Sequence, residues 1–287
     1  MNVILGASGQ IGSAIAGHLI KSNGPVRGVI RNTRKADALE KKGVKVSIAD
    51  YFDPAALQDA VKDGDLIFVL TPETSQSEDV LGDTQTIVEN YRKAIETSAI
   101  RKIVGLSSMG AQHKSGTGNL LMSYMLEHTF TGIPIPQVFV RPAYYYSNWL
   151  LYLPAVKEHG MLPTFYPPDL QIPMVSPMDV AAFIADKIVN GIEGSAIYEL
   201  EGPEAYSSND VAHAFGEVVG RTVKAQQIPR ESWEETLQEA GFTQDVMKNF
   251  IAMTEAVIDG RAKPERKGTN PIKLPTTLHQ YFNDHIK

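Results

Sequence analysis

The chain has 287 residues, no cysteine, and a formal net charge of −6 from 27 basic and 33 acidic side chains. Its length fits one large domain or two fused ones, and 43% hydrophobic with 21% charged residues is the composition of a folded globular chain rather than a disordered one. The missing cysteine excludes disulfides, zinc–thiolate and iron–sulfur sites and cysteine nucleophiles, the acidic balance argues against a nucleic-acid partner, and no apolar run approaches the roughly 18–20 residues of a membrane span.

Met1 and Asn2 lead straight into Val3-Ile4-Leu5, with no charged start or long apolar stretch of a secretory signal, so a cytoplasmic protein is expected. Apolar runs over 2–5, 26–30, 44–48, 65–70, 102–106 and 137–141 read as strands. Amphipathic patterns over 10–20, 33–42, 54–62, 84–99 and 119–131 read as helices between them. Strand–helix alternation of this kind predicts an α/β fold, a Rossmann-type doubly wound parallel sheet with helices on both faces. Gly24-Pro25, Gly43, Asp63-Gly64 and Gly132 mark the turns.

The pattern changes after about residue 145. Tyr144-Tyr145-Tyr146 precedes an expected helix, and a proline-rich stretch runs from Pro163 to Pro177. Pro177-Met178-Asp179 reads as a helix start with Asp179 as its cap, followed by the apolar run Val180 to Ile188. Residues 196–200 read as a strand, the remainder as mostly helical, and 262–273 as a basic, solvated connector. The expected division is a dinucleotide-binding unit over 1–145, to which 172–202 return. A smaller, mostly helical substrate unit would comprise 146–171 and 203–287.

The segment Gly6-Ala7-Ser8-Gly9-Gln10-Ile11-Gly12 follows a strand and opens a helix. Glycines there permit a tight turn, a close approach of backbone N–H groups to a diphosphate, and tight helix–strand packing, with the positive end of the helix dipole facing the phosphates. An NAD-selective site places an acidic residue at the end of the second strand, but here Arg31 stands there, followed by Asn32, Thr33, Arg34 and Lys35. Residues 1–45 carry eight Lys or Arg against two acids in a chain that is acidic as a whole. Cations at that place, Arg31 and Lys35 foremost, match a 2′-phosphate and predict NADP(H), although a solvated basic helix start has the same composition. Asp50 ends the third strand and is a candidate acceptor for the adenine amino group. Leu70-Thr71-Pro72, Ser107-Ser108 and Pro142-Ala143 end the next three strands, where ligands of such sheets sit. Each also has a plain role in satisfying loop backbone.

These segments together resemble the NmrA-like branch of atypical short-chain dehydrogenases/reductases. The resemblance rests on GASGQIG, VRGVIRN, Asp50-Tyr51-Phe52-Asp53-Pro54, LSSMGA, RPAYYYSN, VSPMDVAAFIA and YELEGPEAYSSNDVA, in that order over most of residues 1–220. It implies relatives among NAD(P)H:quinone reductases, isoflavone-reductase-like enzymes and redox sensors that bind a dinucleotide without known turnover. Typical short-chain dehydrogenases use a Tyr-x-x-x-Lys pair, and no lysine here has a tyrosine four positions before it. Tyr124-x-x-x-His128 imitates the spacing. Many NmrA-like relatives carry Lys or His 11 positions before a Gly-Ile-Pro segment. Here that position is Leu121, with His113 and Lys114 as the nearest ionisable substitutes.

Hydride transfer needs no protein acid where the product is a weak base, as a hydroquinonate is. The expected reaction is therefore NADPH-dependent reduction of a small electron-poor carbonyl compound such as a quinone. Ser107 or Ser108 would hydrogen-bond the substrate oxygen, with Tyr144 beside the nicotinamide. Tyr144, Tyr145, Tyr146, Trp149, Tyr152, Phe165 and Tyr166 would line a flat apolar pocket, or else pack a domain junction. A non-catalytic dinucleotide sensor is the alternative, and a sugar-nucleotide epimerase suffers most from the absent catalytic pair. Scattered histidines, no Walker loop and no Gly-x-Ser-x-Gly elbow leave metal, nucleotidase and serine-hydrolase chemistry unsupported. The expected partner is a small apolar or aromatic molecule, with no nucleic acid and no membrane; a homodimer is left open.

Overall fold

The computed structural model describes residues 1–72 and 76–286. The first half alternates β1 (Asn2–Leu5), α1 (Gln10–Lys21), β2 (Val26–Ile30), α2 (Ala36–Glu40), β3 (Lys45–Ile48), α3 (Pro54–Val61), β4 (Leu66–Leu70), α4 (Val80–Glu96), β5 (Lys102–Leu106), α5 (Leu120–Thr129) and β6 (Gln137–Pro142). Then come β7 (Tyr144–Tyr145), α6 (Leu153–His159), β8 (Met161–Thr164), β9 (Ile172–Val175), α7 (Pro177–Asn190), β10 (Ala196–Glu201) and β11 (Ala205–Tyr206). The chain ends with α8 (Ser208–Val219), β12 (Lys224–Gln227), α9 (Trp233–Glu239), α10 (Gln244–Ile258), β13 (Asn270–Lys273) and α11 (Leu278–Ile286).

Eight strands form one sheet in the order β3-β2-β1-β4-β5-β6-β10-β13, with every pairing parallel. This is the Rossmann-type α/β sheet anticipated from the alternation. The strand order reverses between β1 and β4, which leaves a crevice at their carboxyl ends. Central β1 and β4 are continuously apolar because helices cover both faces. One layer packs Ile11, Ile15 and Leu19 of α1 against Val180, Ile184 and Ile188 of α7. The other gathers Leu57, Val88, Tyr91, Ile95 and Leu126 from α3, α4 and α5. A third core, with Tyr146, Trp149, Phe215 and Phe282, holds the smaller part of the chain together.

Local chemistry sets most boundaries. Asp53 accepts from the Ala55 and Ala56 N–H groups and starts α3, while Asp79 accepts from Gly82 N–H and starts α4 earlier than the expected residue 84. The helix expected over 33–42 is split, because Asn32 accepts from the Arg34 N–H and holds Thr33–Lys35 in a 3-10 turn ahead of α2. Ser176, not Asp179, caps α7 by accepting from the Met178 and Asp179 N–H groups. The Asp179 carboxylate instead accepts from the Thr276 N–H and hydroxyl, tying the C-terminal segment to the sheet layer. The proline-rich stretch contributes the short strands β8 and β9.

The segment 262–273 departs most from expectation. Its end is β13, the eighth strand, paired to β10, and buried Glu199 accepts from the Glu265 N–H, the Arg266 N–H and the Thr269 hydroxyl. Arg266 also pairs with Glu201. A basic loop that looks solvated in sequence is held down by two acids of β10.

Candidate functional site

The glycine turn joins β1 to α1. Gly6 has φ +63°, a left-handed conformation, and a Cβ on Gly12 would lie 2.3 Å from the Gly6 carbonyl oxygen. Gly9 is extended and exposed and needs glycine less strictly. Gly6 N–H donates to the Tyr51 hydroxyl at 2.7 Å, Ala7 N–H to the Val29 carbonyl, and Gly9 N–H to the Gly6 carbonyl. The first intrahelical bond into this end runs from Ser13 N–H to the Gly9 carbonyl, so the N–H groups of Gln10, Ile11 and Gly12 open outward. No side chain caps α1 and its first turn holds no acid. The turn presents a cluster of backbone donors at the positive end of a helix dipole.

The basic residues sit around this turn. Lys35 Nζ donates to the Ser8 carbonyl at 3.0 Å, which brings its ammonium onto the glycine loop. Arg31 is exposed, has no ion pair among the described residues, and is close enough to act electrostatically on Tyr51. Asp50 is exposed at the end of β3, and one carboxylate oxygen accepts from the Phe52 N–H. Burial pushes the Tyr51 phenol up to about 12, against the opposing pull of the Gly6 hydrogen bond and Arg31.

Beyond the turn, the carboxyl ends of β4, β5 and β6 open onto a cavity of about 410 Å³. Leu70, Thr71, Ser107, Ser108, Pro142, Ala143 and Tyr144 all line it, whereas Pro72 is buried outside the lining. The opposite wall comes from Tyr166, Leu170 and Gln171 and from the end of α10 through Lys263. The aromatic set divides. Tyr144, Tyr145 and Tyr166 line the cavity, while Tyr146 and Trp149 are core and Phe165 meets Trp233 and Phe250 edge to face. Burial holds Tyr144 well above the ordinary phenol range, with neighbouring Tyr166 and Tyr152 adding to it. Burial raises Tyr145 in the same direction, and its hydroxyl is fully enclosed with no hydrogen-bond partner among the described residues.

The serine assignments meet a constraint invisible in the sequence. Ser107 Oγ donates to Glu127 Oε1 at 2.5 Å, and Ser108 Oγ donates to the Met109 carbonyl at 3.1 Å. Glu127 of α5 receives Arg141 Nε on one oxygen at 2.7 Å and Arg141 Nη2 on the other at 2.6 Å. Arg141 Nη1 reaches Glu265 Oε2 at 2.7 Å. Ser107, Glu127 and Arg141 are all buried. Burial alone would lower Arg141, but the two carboxylates outweigh it and hold the guanidinium above its usual range. Nothing in local spacing marks Glu127, Arg141 and Glu265 as one cluster. The available hint was an acid on α5 and a base on buried β6, two charges that burial requires to be paired.

The other ionisable substitutes do not reach the cavity. His113 is hydrogen-bonded to the Arg261 carbonyl at 2.9 Å, and Tyr124 stacks on His128 with centroids 3.9 Å apart. Neither these nor Lys114 or Leu121 is among the lining residues. Among the described residues no His, Asp and Glu cluster suits a metal ion, and no helix is long and apolar enough to cross a membrane.

The residues present fit a dinucleotide. The cradle at Gly6 and Gly12 excludes side chains, uncapped N–H groups sit beside cations, and Tyr144 and Tyr166 line the adjoining cavity. The model of the NmrA-like family matches residues 2–282, so the chain belongs to that family. It is 27% identical over 278 residues to a (4-alkanoyl-5-oxo-2,5-dihydrofuran-3-yl)methyl phosphate reductase of Streptomyces griseus, covering 96% of this chain and 91% of that one. It is 25% identical over 260 residues to an NAD(P)H azoreductase of Xenophilus azovorans, covering 88% and 87%. Among solved structures, the NADPH-dependent quinone oxidoreductase of Escherichia coli, complexed with NADPH, superposes over 100% of both chains with a TM-score of 0.81 at 25% identity.

Proposed function

We propose that the protein is an NADPH-dependent oxidoreductase that reduces a small, electron-poor carbonyl compound such as a quinone. The observation that carries this reading is that two features adjoin at Leu70, which lines the cavity and would meet a Cβ on Gly6. An uncapped glycine turn flanked by Arg31 and Lys35 lies at one end of the crevice, and a largely apolar cavity with an unpartnered phenol lies at the other. Relatives named as reductases of quinone, azo and butenolide substrates support the same class. In this reading residues 6–12 hold the diphosphate, Arg31 and Lys35 select the 2′-phosphate, and Asp50 receives the adenine amino group. Leu70, Thr71, Pro142 and Ala143 bed the nicotinamide, and Pro72 supports the β4 end from behind. The dinucleotide, when bound, supplies the hydride.

The chain's own residues bind, orient and exclude water. Tyr144 and Tyr166 offer ring faces to a flat substrate. Tyr144, which follows β6 and lines the cavity, would stand beside the nicotinamide, while the Tyr145 hydroxyl is enclosed behind that wall. The sheet unit would carry the cofactor, with 146–171 and 203–287 forming most of the substrate side. The second reading, a dinucleotide-binding sensor, draws on the absent Tyr-x-x-x-Lys pair and on the committed protons of Ser107 and Ser108.

Purified protein titrated calorimetrically with NADPH and NADH, then assayed on a panel of quinones, azo dyes and enones, tests the proposal. The expected result is NADPH preferred by at least tenfold, with oxidation dependent on an added quinone. Equal affinity for both nucleotides overturns the Arg31 assignment, and tight NADPH binding with no turnover across the panel favours the sensor.

A further inference from the structure

A serine at the end of the fifth strand is expected to hydrogen-bond a substrate oxygen, and the geometry around Ser107 limits which way such a bond can run. A hydroxyl has one proton and two acceptor lone pairs. That proton goes to Glu127 Oε1 at 2.5 Å, away from any ligand. Glu127 has no proton to return. Each of its oxygens already accepts from the Arg141 guanidinium, at 2.7 and 2.6 Å, so it meets Ser107 as the acceptor half of an ion pair. Arg141 is fixed in turn by Glu265, whose own N–H is held by Glu199. Burial of Ser107, Glu127 and Arg141 makes any reorientation that breaks one of these bonds costly. Ser108 repeats the pattern, its proton turned onto the Met109 carbonyl.

We infer that Ser107 acts as a hydrogen-bond acceptor toward the cavity, so that the ligand group seated against it is an N–H or O–H donor, with Glu127 and Arg141 as positioning residues that fix this polarity. The inference rests on the dinucleotide reading above. Two groups have the required chemistry: the carboxamide N–H of a nicotinamide ring, and a hydroxyl of the reduced substrate. A substrate carbonyl presents only lone pairs and is not polarised by Ser107.

Two binding arms distinguish these sources in the wild-type protein, Ser107→Ala and Ser107→Thr. The first compares NADP+ with its 3-acetylpyridine analogue, in which a methyl group replaces the carboxamide N–H. The second compares a hydroquinone with its dimethyl ether, each titrated into protein saturated with NADP+. Loss of one such hydrogen bond weakens binding about five- to tenfold. On the arm that contains the true donor, wild type prefers the donor-bearing ligand by that factor, Ser107→Ala loses the preference, and Ser107→Thr retains it. Glu127 keeps both Arg141 bonds in each variant, and an unchanged melting temperature checks that the fold is intact. A preference that survives Ser107→Ala on both arms, with NADP+ still bound, overturns the inference. Failure of wild type to bind either dinucleotide overturns the dinucleotide reading, and this inference with it.

Discussion

At the glycine turn, the groups on offer belong to the backbone. The N–H groups of Gln10, Ile11 and Gly12, held by the geometry of seven consecutive residues, open α1 with no side-chain cap. At the cavity floor they belong to side chains. Ser107, Glu127, Arg141 and Glu265 lie 20, 14 and 124 positions apart along their chain of hydrogen bonds. The first region is rigid because its chain path permits little else. The second is rigid because buried charges permit no other pairing. Backbone sites are therefore sensitive to any added atom, and the charged floor to any lost one.

The largest effect is expected at the floor. Arg141→Met leaves Glu127 buried without its cation and should lower unfolding free energy by about 3–5 kcal/mol in urea titration, whereas pairing it with Glu127→Gln should recover most of that loss. A single-variant loss below about 1 kcal/mol, the range of exposed ion pairs, would remove the claim that this cluster is locked.

The turn should respond to addition. A Cβ on Gly12 meets the Gly6 carbonyl oxygen, a backbone atom that cannot step aside, at 2.3 Å. Gly12→Ala should therefore weaken NADPH about 100-fold by calorimetry, roughly 2.7 kcal/mol, by displacing the start of α1. Gly9→Ala, where the nearest atom is the Gly6 carbonyl oxygen at 3.3 Å, should cost far less. Equal losses at the two glycines would mean that the turn gives way as a whole, and the contrast drawn here would dissolve.

The same contrast explains what the sequence discloses. The alternation of β1 to β6 with their helices, and the strained Gly6 and crowded Gly12, are set by neighbours within a few positions, while Lys35, 27 positions from Ser8, is legible because it follows the second strand of the alternation. Periodicity and turn chemistry report such neighbours. The place of Ser107 at the end of β5 is legible, but the acceptor that takes its proton is not, because Glu127 sits on a different element 20 positions away. Residues 262–273 read as solvated because the carboxylates of Glu199 and Glu201 that hold them lie on β10, more than sixty positions earlier. Asp179 reads as a cap because Asp is a common N-cap residue, and its actual partner, Thr276, is 97 positions away.

The smallest expected effect lies where the two kinds of construction meet. Tyr51 is a buried side chain whose hydroxyl accepts the Gly6 N–H and so fixes the end of the backbone cradle. Tyr51→Phe leaves that part-buried N–H without its acceptor and should cost about 1 kcal/mol at neutral pH. Alkaline pH separates this role from simple packing. The folded phenol titrates at about 12 rather than 10.0, chiefly through burial, so between those values the folded state holds a proton that the unfolded chain has released. Stability supplied by Tyr51 is therefore complete below pH 10 and declines as pH rises toward 12. Phenylalanine has nothing to titrate, and the other buried tyrosines contribute equally to both proteins. In urea titrations from pH 8 upward, the gap between wild type and variant should stay near 1 kcal/mol to pH 10 and close at about pH 11, where the linkage has removed roughly as much from wild type. A gap constant across that range would mean that Tyr51 ionises as freely folded as unfolded, and that the hydroxyl beneath Gly6 is not enclosed by the turn it supports.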